Sequence, residues 1–394
     1  MTLAQRHPDL PARPIYLDHN ATTPVDPRVL EAMLPALRAD FANPSSSHAF
    51  AHGPARLLAT ARQQVAALLG AEPDEIVFTA SGSEADALAI RGAALAAAAD
   101  RGVRAHVITQ VTEHPAVLAA CAELRDHHGA RLTVLPVDAH GRVDPDELAA
   151  AITDRTVLVS VMHANNETGT LQPISEISRV CRARGVLLHT DAAQSVGKVP
   201  VDAVALGVDL LTVVGHKMYA PKGVAALYVR RGVRLHPLVG GGGQEHGRRA
   251  GTENVPHAAA LGAAAELAAQ SLADGEGARI ADLRDRLAAR LAELLPGRVH
   301  AHGHPTHRLP GTLNVHLDGT VGHELLAATP DVAASTGSAC HSGNHTPSAV
   351  LTAMGLDASD ALATLRLSLG RWTTPADVED AAALLATTAR GRTA

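Results

Sequence analysis

The sequence predicts an α/β protein with a large, mostly parallel sheet sandwiched by helices and a second, smaller α+β domain. Between about residues 60 and 230, short runs rich in Val, Ile and Leu alternate with helical patterns, which is typical of parallel strands joined by helices. Beyond residue 243 the pattern changes to long helices followed by isolated strands. A chain of 394 residues is long enough for two or three domains.

The first part of the chain contains apolar runs that we expect to form buried strands. They are residues 75–79, 106–110, 132–136, 156–161, 186–190, 210–214 and 224–229. The alanine-rich segment 85–99, between the first two runs, predicts a helix that packs through small residues.

The second part contains two long helical patterns and two strand-like segments. The helices are expected at residues 256–272 and 277–295, and the strands at 312–317 and 365–369. We therefore predict a large domain of residues 28–258 and a small domain made of residues 1–27 and 259–394.

Composition and charge exclude several classes of function. The chain has 34 Lys and Arg against 40 Asp and Glu, and only three Phe, three Tyr and one Trp, which argues against a nucleic-acid-binding protein. No apolar stretch approaches the length needed to cross a membrane, and the N-terminus lacks the pattern of a signal peptide. Three cysteines suit a reducing compartment. We expect a cytoplasmic protein that binds neither nucleic acid nor membrane.

Polar and ionisable residues follow almost every predicted strand. The carboxyl ends of parallel strands share one edge of a sheet, and ligands bind at that edge. The residues in question are Ser81-Gly82-Ser83, Glu113-His114, Asn165-Asn166, Asp191, Gln194 and Gly215-His216-Lys217.

Together these residues predict a site for pyridoxal 5'-phosphate (PLP). This cofactor needs an anion site, a lysine for a Schiff base and an acid for its pyridinium nitrogen. Gly82 and Ser83 at a helix start, Lys217 after an apolar strand and Asp191 supply the three. Taken singly, Ser81 is more simply a helix N-cap and Lys217 a surface lysine. Neither a dinucleotide-binding nor a P-loop motif is present.

A second group of candidate residues lies near the C-terminus. Cys340 sits in a small, polar, glycine-punctuated segment at residues 334–343, which predicts a loop with a reactive thiol. Cys121 and Cys181 lie in helical patterns and are expected to be buried and inert. Arg366 interrupts an apolar strand and should therefore meet a carboxylate.

Four histidines raise the question of a metal site. His300, His302, His304 and His307 lie within eight residues. The residues Gly303 and Pro305 prevent a shared helical face, and no cysteine or acid lies among the four. A polar loop without a metal is the prediction.

Motifs along nearly the whole chain resemble the cysteine desulfurases and selenocysteine lyases, PLP enzymes of fold type I in the class V aminotransferase group. The motifs are YLDHNATTP at residues 16–24, NPSS at 43–46, NNETG at 165–169, DAAQ at 191–194, GHK at 215–217, GTEN at 251–254 and GSAC at 337–340.

The resemblance implies a role for each matching residue. Lys217 would bind PLP covalently, Asp191 would pair with the pyridine nitrogen, and His114 would stack on the ring and take part in catalysis. Other residues would bind the phosphate (Gly82, Ser83 and His216), flank the ring oxygen and substrate (Asn166 and Gln194), bind the substrate carboxylate (Arg366) and accept sulfur (Cys340). Thr252 would reach the phosphate of a neighbouring subunit, which implies a homodimer.

Two departures from the family pattern concern the substrate. Val214 stands where many cysteine desulfurases have a serine that contacts phosphate, and Ala220 replaces the usual glycine after the lysine. Val214 and the CHS sequence at 340–342 are more similar to selenocysteine lyases. The primary expectation is a desulfurase that converts L-cysteine to L-alanine and leaves a persulfide on Cys340 for a sulfur-acceptor protein. The alternative is a lyase for L-selenocysteine.

Two further alternatives are weaker. An aminotransferase would have no use for Cys340, and a catalytically silent binding protein would not need both Lys217 and Asp191. The tail that some family members use to dock an iron–sulfur scaffold is expected to be missing.

Overall fold

The apolar runs form the strands of the computed structural model, which describes residues 6–336 and 346–391. The strands are β1 (Ile15–Tyr16), β2 (Ile76–Thr79), β3 (His106–Gln110), β4 (Arg131–Leu135), β5 (Thr156–Ser160), β6 (Leu187–Asp191), β7 (Leu210–Val214), β8 (Ala225–Val229), β9 (Val299–His302), β10 (Thr312–Leu317), β11 (Val332–Ala333) and β12 (Thr364–Ser368).

Seven of these strands form the large sheet, in the order β2-β8-β7-β6-β5-β3-β4. Strands β7, β6, β5, β3 and β4 are parallel, whereas β8 is antiparallel to both β7 and β2. Every residue of β2, β3, β5, β7 and β8 is buried, as expected for a sheet covered on both faces. The predicted mostly parallel sheet is confirmed, and the ends of β2, β3, β5, β6 and β7 share one edge.

Helices cover the sheets and occupy most of the remaining chain. They are α1 (Pro27–Arg38), α2 (His52–Leu68), α3 (Gly82–Ala87), α4 (Ala93–Arg101), α5 (Pro115–His128), α6 (Pro145–Ala151), α7 (Ile174–Ala183), α8 (Ala203–Leu206), α9 (Val255–Ala273), α10 (Glu276–Leu294), α11 (Gly322–Ala327), α12 (Ala349–Ala353), α13 (Ala358–Leu362) and α14 (Pro375–Gly391). Within the described ranges, no helix is long and apolar enough to cross a membrane.

Alanine and glycine let the helices pack closely, as the sequence predicts. A Cβ atom at Gly262 of α9 would lie 2.6 Å from the Cα atom of Ala61 in α2, so only glycine fits there.

Between α3 and α4 the helix widens into a π turn at Leu88–Gly92. Turns of this type are frequent near functional sites.

A second core forms around the antiparallel sheet β12-β10-β9 and helices α10 and α14. Ile15 and Leu17 from the start of the chain pack into this core. Helix α9 instead packs on the core of the large sheet. The domain limits 28–258 and 1–27 with 259–394 remain a prediction. Residues 260–268 of α9, which that prediction assigns to the small domain, pack on the core of the large sheet.

Candidate active site

A cavity of about 480 Å³ lies at the edge of the large sheet where its parallel strands end. The predicted site residues that line it are Gly82, Ser83, His114, Asn166, Asp191, Gln194, His216, Lys217 and Arg366. Loops after five strands therefore bring together residues that are far apart in sequence. Thr252 is exposed and does not line this cavity, and Cys340 lies outside the described residues.

Lys217 emerges from β7 through a single 3₁₀ turn, Gly215–Lys217. Its Nζ atom donates a hydrogen bond to the main-chain oxygen of Ala21, at 2.8 Å. Burial, assisted by the positive charge of Arg366, lowers the pKa of Lys217 to about 8. A neutral amine is therefore accessible near neutral pH, which is the nucleophilic form.

Asp191 is the last residue of β6 and faces the same cavity. The N–H of Ala193 donates to its Oδ1 atom at 2.9 Å. Burial raises the pKa of Asp191, whereas the nearby His114 and Lys217 act in the opposite direction. A cation brought into the cavity would stabilise the ionised carboxylate.

Two further buried acids lie close to Asp191, and the sequence analysis assigned them no role. Glu113 accepts a hydrogen bond from the N–H of Met162 at 2.7 Å, while its Oε2 atom has no partner among the residues described. Asp86 lines the cavity, and its Oδ1 atom lies 3.7 Å from Nε2 of His189. Burial, with repulsion from Asp191, raises the pKa of both acids well above the usual range.

One end of the cavity is built for an anion. Ser81 caps α3 by accepting from the N–H of Glu84 at 3.1 Å, and the N–H groups of Gly82 and Ser83 in the first turn have no acceptor within their own helix. A Cβ atom at Gly82 would lie 2.6 Å from Cγ2 of Val214. Glycine is therefore required at this close approach to β7.

His216 lines the same cavity as the first turn of α3, and its imidazole is uncharged. Its Nδ1 atom lies 3.1 Å from Oγ1 of Thr22. Burial and the neighbouring lysines, Lys217 foremost, lower the pKa of His216 to about 4. It therefore interacts with an anion as a neutral imidazole.

His114 lies at the start of α5 and is also neutral at physiological pH. Its Nδ1 atom accepts a hydrogen bond from the N–H of Ala116 at 3.2 Å, which places the ring proton on Nε2. Burial lowers the pKa of His114.

Asn20 connects the two sides of the cavity and received no role from the sequence. Its side-chain amide donates to Oγ1 of Thr312 at 2.9 Å, and its main-chain oxygen accepts from Nε2 of Gln194 at 2.9 Å. Lys198 donates to Oδ1 of Asn20 at 3.1 Å. Burial, with repulsion from Lys217, lowers the pKa of Lys198 to about 7. The position of this lysine follows from tertiary packing, so no local sequence pattern identified it.

Arg366 brings the small antiparallel sheet to the cavity. As predicted, it meets a carboxylate: its Nη2 atom donates to Oδ1 of Asp18 at 2.8 Å. Its Nη1 atom donates to the main-chain oxygen of Asn166 at 3.3 Å. The Nε atom is buried and has no hydrogen-bond partner in the described part of the chain. This guanidinium therefore keeps a donor for a further anionic group.

Comparisons with known proteins agree with this arrangement. Residues 15–380 match the family model for class-V aminotransferases. The chain is 48% identical to a cysteine desulfurase of Trichormus azollae, across 93% of this chain and 90% of that protein. The chain belongs to the class-V aminotransferase family, in its cysteine desulfurase branch.

Two solved structures support the same placement. A NifS-like protein superposes with a TM-score of 0.87 at 34% identity, covering 96% of this chain and 99% of its own. A structure titled SspA in complex with cysteine gives a TM-score of 0.77 at 36% identity, covering 91% and 99% of the two chains.

The two cysteines that the structure describes are inert, as predicted. Cys121 in α5 and Cys181 in α7 are buried. Burial raises the pKa of each thiol to about 12, so neither forms a thiolate near neutral pH. Of the three cysteines in the chain, Cys340 is the remaining candidate for a reactive thiol.

The prediction of a polar histidine loop was wrong for two of the four residues. His300 and His302 lie on strand β9, which pairs with β10. The alternation of V-H-A-H at 299–302 is the strand signal that the sequence analysis overlooked. An acid also lies nearby, because pairing with β10 brings Asp318 next to His300.

Proposed function

We propose that the cavity binds PLP and that Lys217 holds it covalently. Asp191 supplies a buried carboxyl group for a protonated ring nitrogen. Burial raises its pKa, and a cation beside it would favour the ionised form. Gly82, Ser83 and His216 offer a phosphate three donor groups at one end. His114 presents a neutral ring for stacking, and Asn166 and Gln194 flank the space between. These residues fit the cofactor in charge and position.

The reaction we propose is that of a cysteine desulfurase acting on L-cysteine. The desulfurase relatives and the cysteine-bound structure titled SspA favour this substrate over L-selenocysteine. When bound, the cofactor supplies an electron sink for the electron pair left when a proton is removed from the substrate Cα. The other steps depend on side chains of this chain.

Arg366 binds the substrate carboxylate in this proposal. Its Nε donor, which has no hydrogen-bond partner among residues 6–336 and 346–391, and its place at the cavity wall would fix one end of the amino acid. Lys217 would remove the Cα proton with its Nζ atom. The lowered pKa, about 8, leaves this amine partly unprotonated, as a general base requires.

Cys340 completes the proposed reaction as the sulfur acceptor. Its thiolate attacks the substrate sulfur, the carbon–sulfur bond breaks, and a sulfur–sulfur bond forms on the enzyme. The carbon takes a proton. One cysteine and one enzyme thiol thus yield one alanine and one enzyme persulfide, with no external oxidant or reductant.

Assembly and delivery complete the proposal. Thr252 is exposed and does not line the cavity of its own chain. This position fits a role at the phosphate site of a partner subunit in a homodimer. A separate protein would then accept the sulfur, in the reducing conditions of the cytoplasm.

The observation that carries the proposal is the pairing, in one cavity, of a lysine with a lowered pKa and a carboxylate with a raised pKa. The test is to incubate the purified protein with L-cysteine and a thiol reductant and to analyse the products. We expect alanine and sulfide in equal amounts. A keto acid in place of alanine would indicate an aminotransferase, and turnover of L-selenocysteine alone would indicate a lyase.

A further inference from the structure

The edge hairpin of the small sheet carries three ligand-type side chains on one face. Strands β9 and β10 are antiparallel, and His300 lies directly opposite His316. Asp318 follows two residues after His316, so the alternation of a strand places it on the same face. None of the three lines the cavity at the large sheet.

The side chains of this face converge on one point. Nε2 of His300 lies 3.0 Å from one carboxylate oxygen of Asp318, and Nε2 of His316 lies 3.3 Å from the other. One ligand atom from each residue can be chosen so that all three lie within 4.8 Å of one another. Ligands at about 2 Å from a tetrahedral zinc lie about 3.4 Å apart, so only small side-chain movements are needed.

Neighbouring groups hold two of the three ligands. Nε2 of His302 lies 2.8 Å from Nδ1 of His316. When His316 donates from Nδ1 to His302, its Nε2 lone pair faces Asp318 and is available to a metal. The side chain of Arg298 donates to the main-chain oxygen of Asp318 at 3.1 Å, which fixes the end of β10.

Charge and access favour a cation at this point. In the absence of a metal, each imidazole nitrogen that faces the carboxylate needs a proton to make a hydrogen bond. A divalent ion replaces both protons and balances the charge of Asp318. The side chains of His300 and Asp318 are 47% and 49% exposed, which leaves an open path from solvent. The side chain of His316 is 10% exposed and forms the buried side of this three-residue cluster.

We propose that His300, His316 and Asp318 bind one Zn²⁺ ion, with water as the fourth ligand. Two imidazoles and one carboxylate suit zinc and neighbouring transition metals, whereas Mg²⁺ and Ca²⁺ prefer oxygen ligands throughout. The ion ties the edge strand β9 to the end of β10. This site is separate from the proposed active site and does not depend on the proposed function.

Zinc binding can be measured on the PLP-loaded protein with Cys340→Ser as the common background, which removes the candidate thiolate ligand. After treatment with a chelator, the protein is titrated with Zn²⁺, and bound metal is counted after gel filtration. We expect one tight zinc per chain, and a thermal midpoint that rises with Zn²⁺ but not with Mg²⁺. Asp318→Asn and His300→Gln should each weaken binding at least tenfold and abolish the rise.

His307→Gln is the matched control. The ring of His307 lies 4.7 Å from that of His304 at an angle of 55°, and among the described residues His307 belongs to no cluster of three possible metal ligands. This variant should bind zinc as the background protein does. The proposal is overturned if the background protein retains no zinc, or if Asp318→Asn and His300→Gln bind it as tightly as His307→Gln. Circular dichroism identifies a variant that fails to fold, and the other variant then decides.

Discussion

The same residue types behave in opposite ways at the edge of the large sheet and on the hairpin of the small sheet. At the cavity, burial raises the pKa of Asp191. On the hairpin, a hydrogen bond from His300 lowers the pKa of the exposed Asp318. Position in the fold, more than residue type, thus sets the protonation state.

This difference has a consequence for ligand binding. Burial raises the pKa of Asp86, Glu113 and Asp191 at this edge of the sheet, so a cation that enters the cavity would favour the ionised form of Asp191. On the hairpin, the chain's own histidines already face the acid, and an ion replaces their protons. In our two proposals, the first site binds a positively charged ring and the second binds a metal cation. Variants of Lys217, Asp191, Arg366 and Glu113 test the cavity side of this contrast.

Replacement of Lys217 by Ala should have the largest effect. Loss of the amine removes both the covalent attachment and the general base, so turnover of cysteine should fall about 10³-fold or more, with the fold intact. Borohydride reduction followed by peptide mapping should find PLP on Lys217 of the wild type. Lys222 also lines the cavity and serves as the control. An adduct on Lys222, or on any other lysine, would refute the assignment.

The Asp191→Asn variant removes the charge while keeping the shape of the side chain. Without a carboxylate to hold a pyridinium proton, we expect the rate to fall about 10²-fold and the cofactor absorption band to shift. Glu113→Gln is the matched control, because it alters a neighbouring buried acid that does not line the cavity and whose pKa burial raises well above its usual value. Equal losses in the two variants would contradict the special role of Asp191.

The guanidinium of Arg366 is expected to act on substrate affinity. Arg366→Gln should lower kcat/KM for cysteine about 10- to 100-fold, mainly through KM, because a charge-assisted bond to the carboxylate is lost. Arg371→Gln removes another buried arginine–carboxylate pair, with Asp26 and outside the cavity. It should lower stability but not change KM. A similar rise of KM in both variants would point to a purely structural role for Arg366.

The smallest expected effect is the pH dependence of stability caused by Glu113. Its folded-state pKa is raised by burial, so the folded protein binds a proton that the unfolded chain releases as the pH rises above about 4.5. Stability from this group is present below that pH and is lost as pH rises toward the folded-state pKa. Each unit of the shift is worth about 1.4 kcal/mol.

Replacing Glu113 by Gln removes this titration. The difference in urea midpoint between Glu113→Gln and the wild type should therefore move in favour of the variant from pH 5 to pH 8. A constant difference over that range would mean that Glu113 does not titrate as its surroundings require.

Much of the fold was readable from the sequence because buried parallel strands give continuous apolar runs. The positions of Lys217, Asp191 and His114 shortly after those runs were enough to predict that they meet at one edge of the sheet. The reversed strand β8 and the roles of Asn20 and Lys198 were not predicted, since they depend on contacts between distant segments. The strand position of His300 was missed although the alternation at residues 299–302 indicates it.

The central claim is that Cys340 takes sulfur from L-cysteine. The most direct measurement is alanine release from L-cysteine and from L-selenocysteine, by the wild type and by Cys340→Ala, under reducing conditions. Cys181→Ala is the control, since burial keeps that thiol protonated. We expect Cys340→Ala to lose alanine formation from cysteine and to keep some from selenocysteine, whose weaker carbon–selenium bond needs no enzyme thiol. Desulfuration of cysteine by Cys340→Ala at the wild-type rate would contradict the claim.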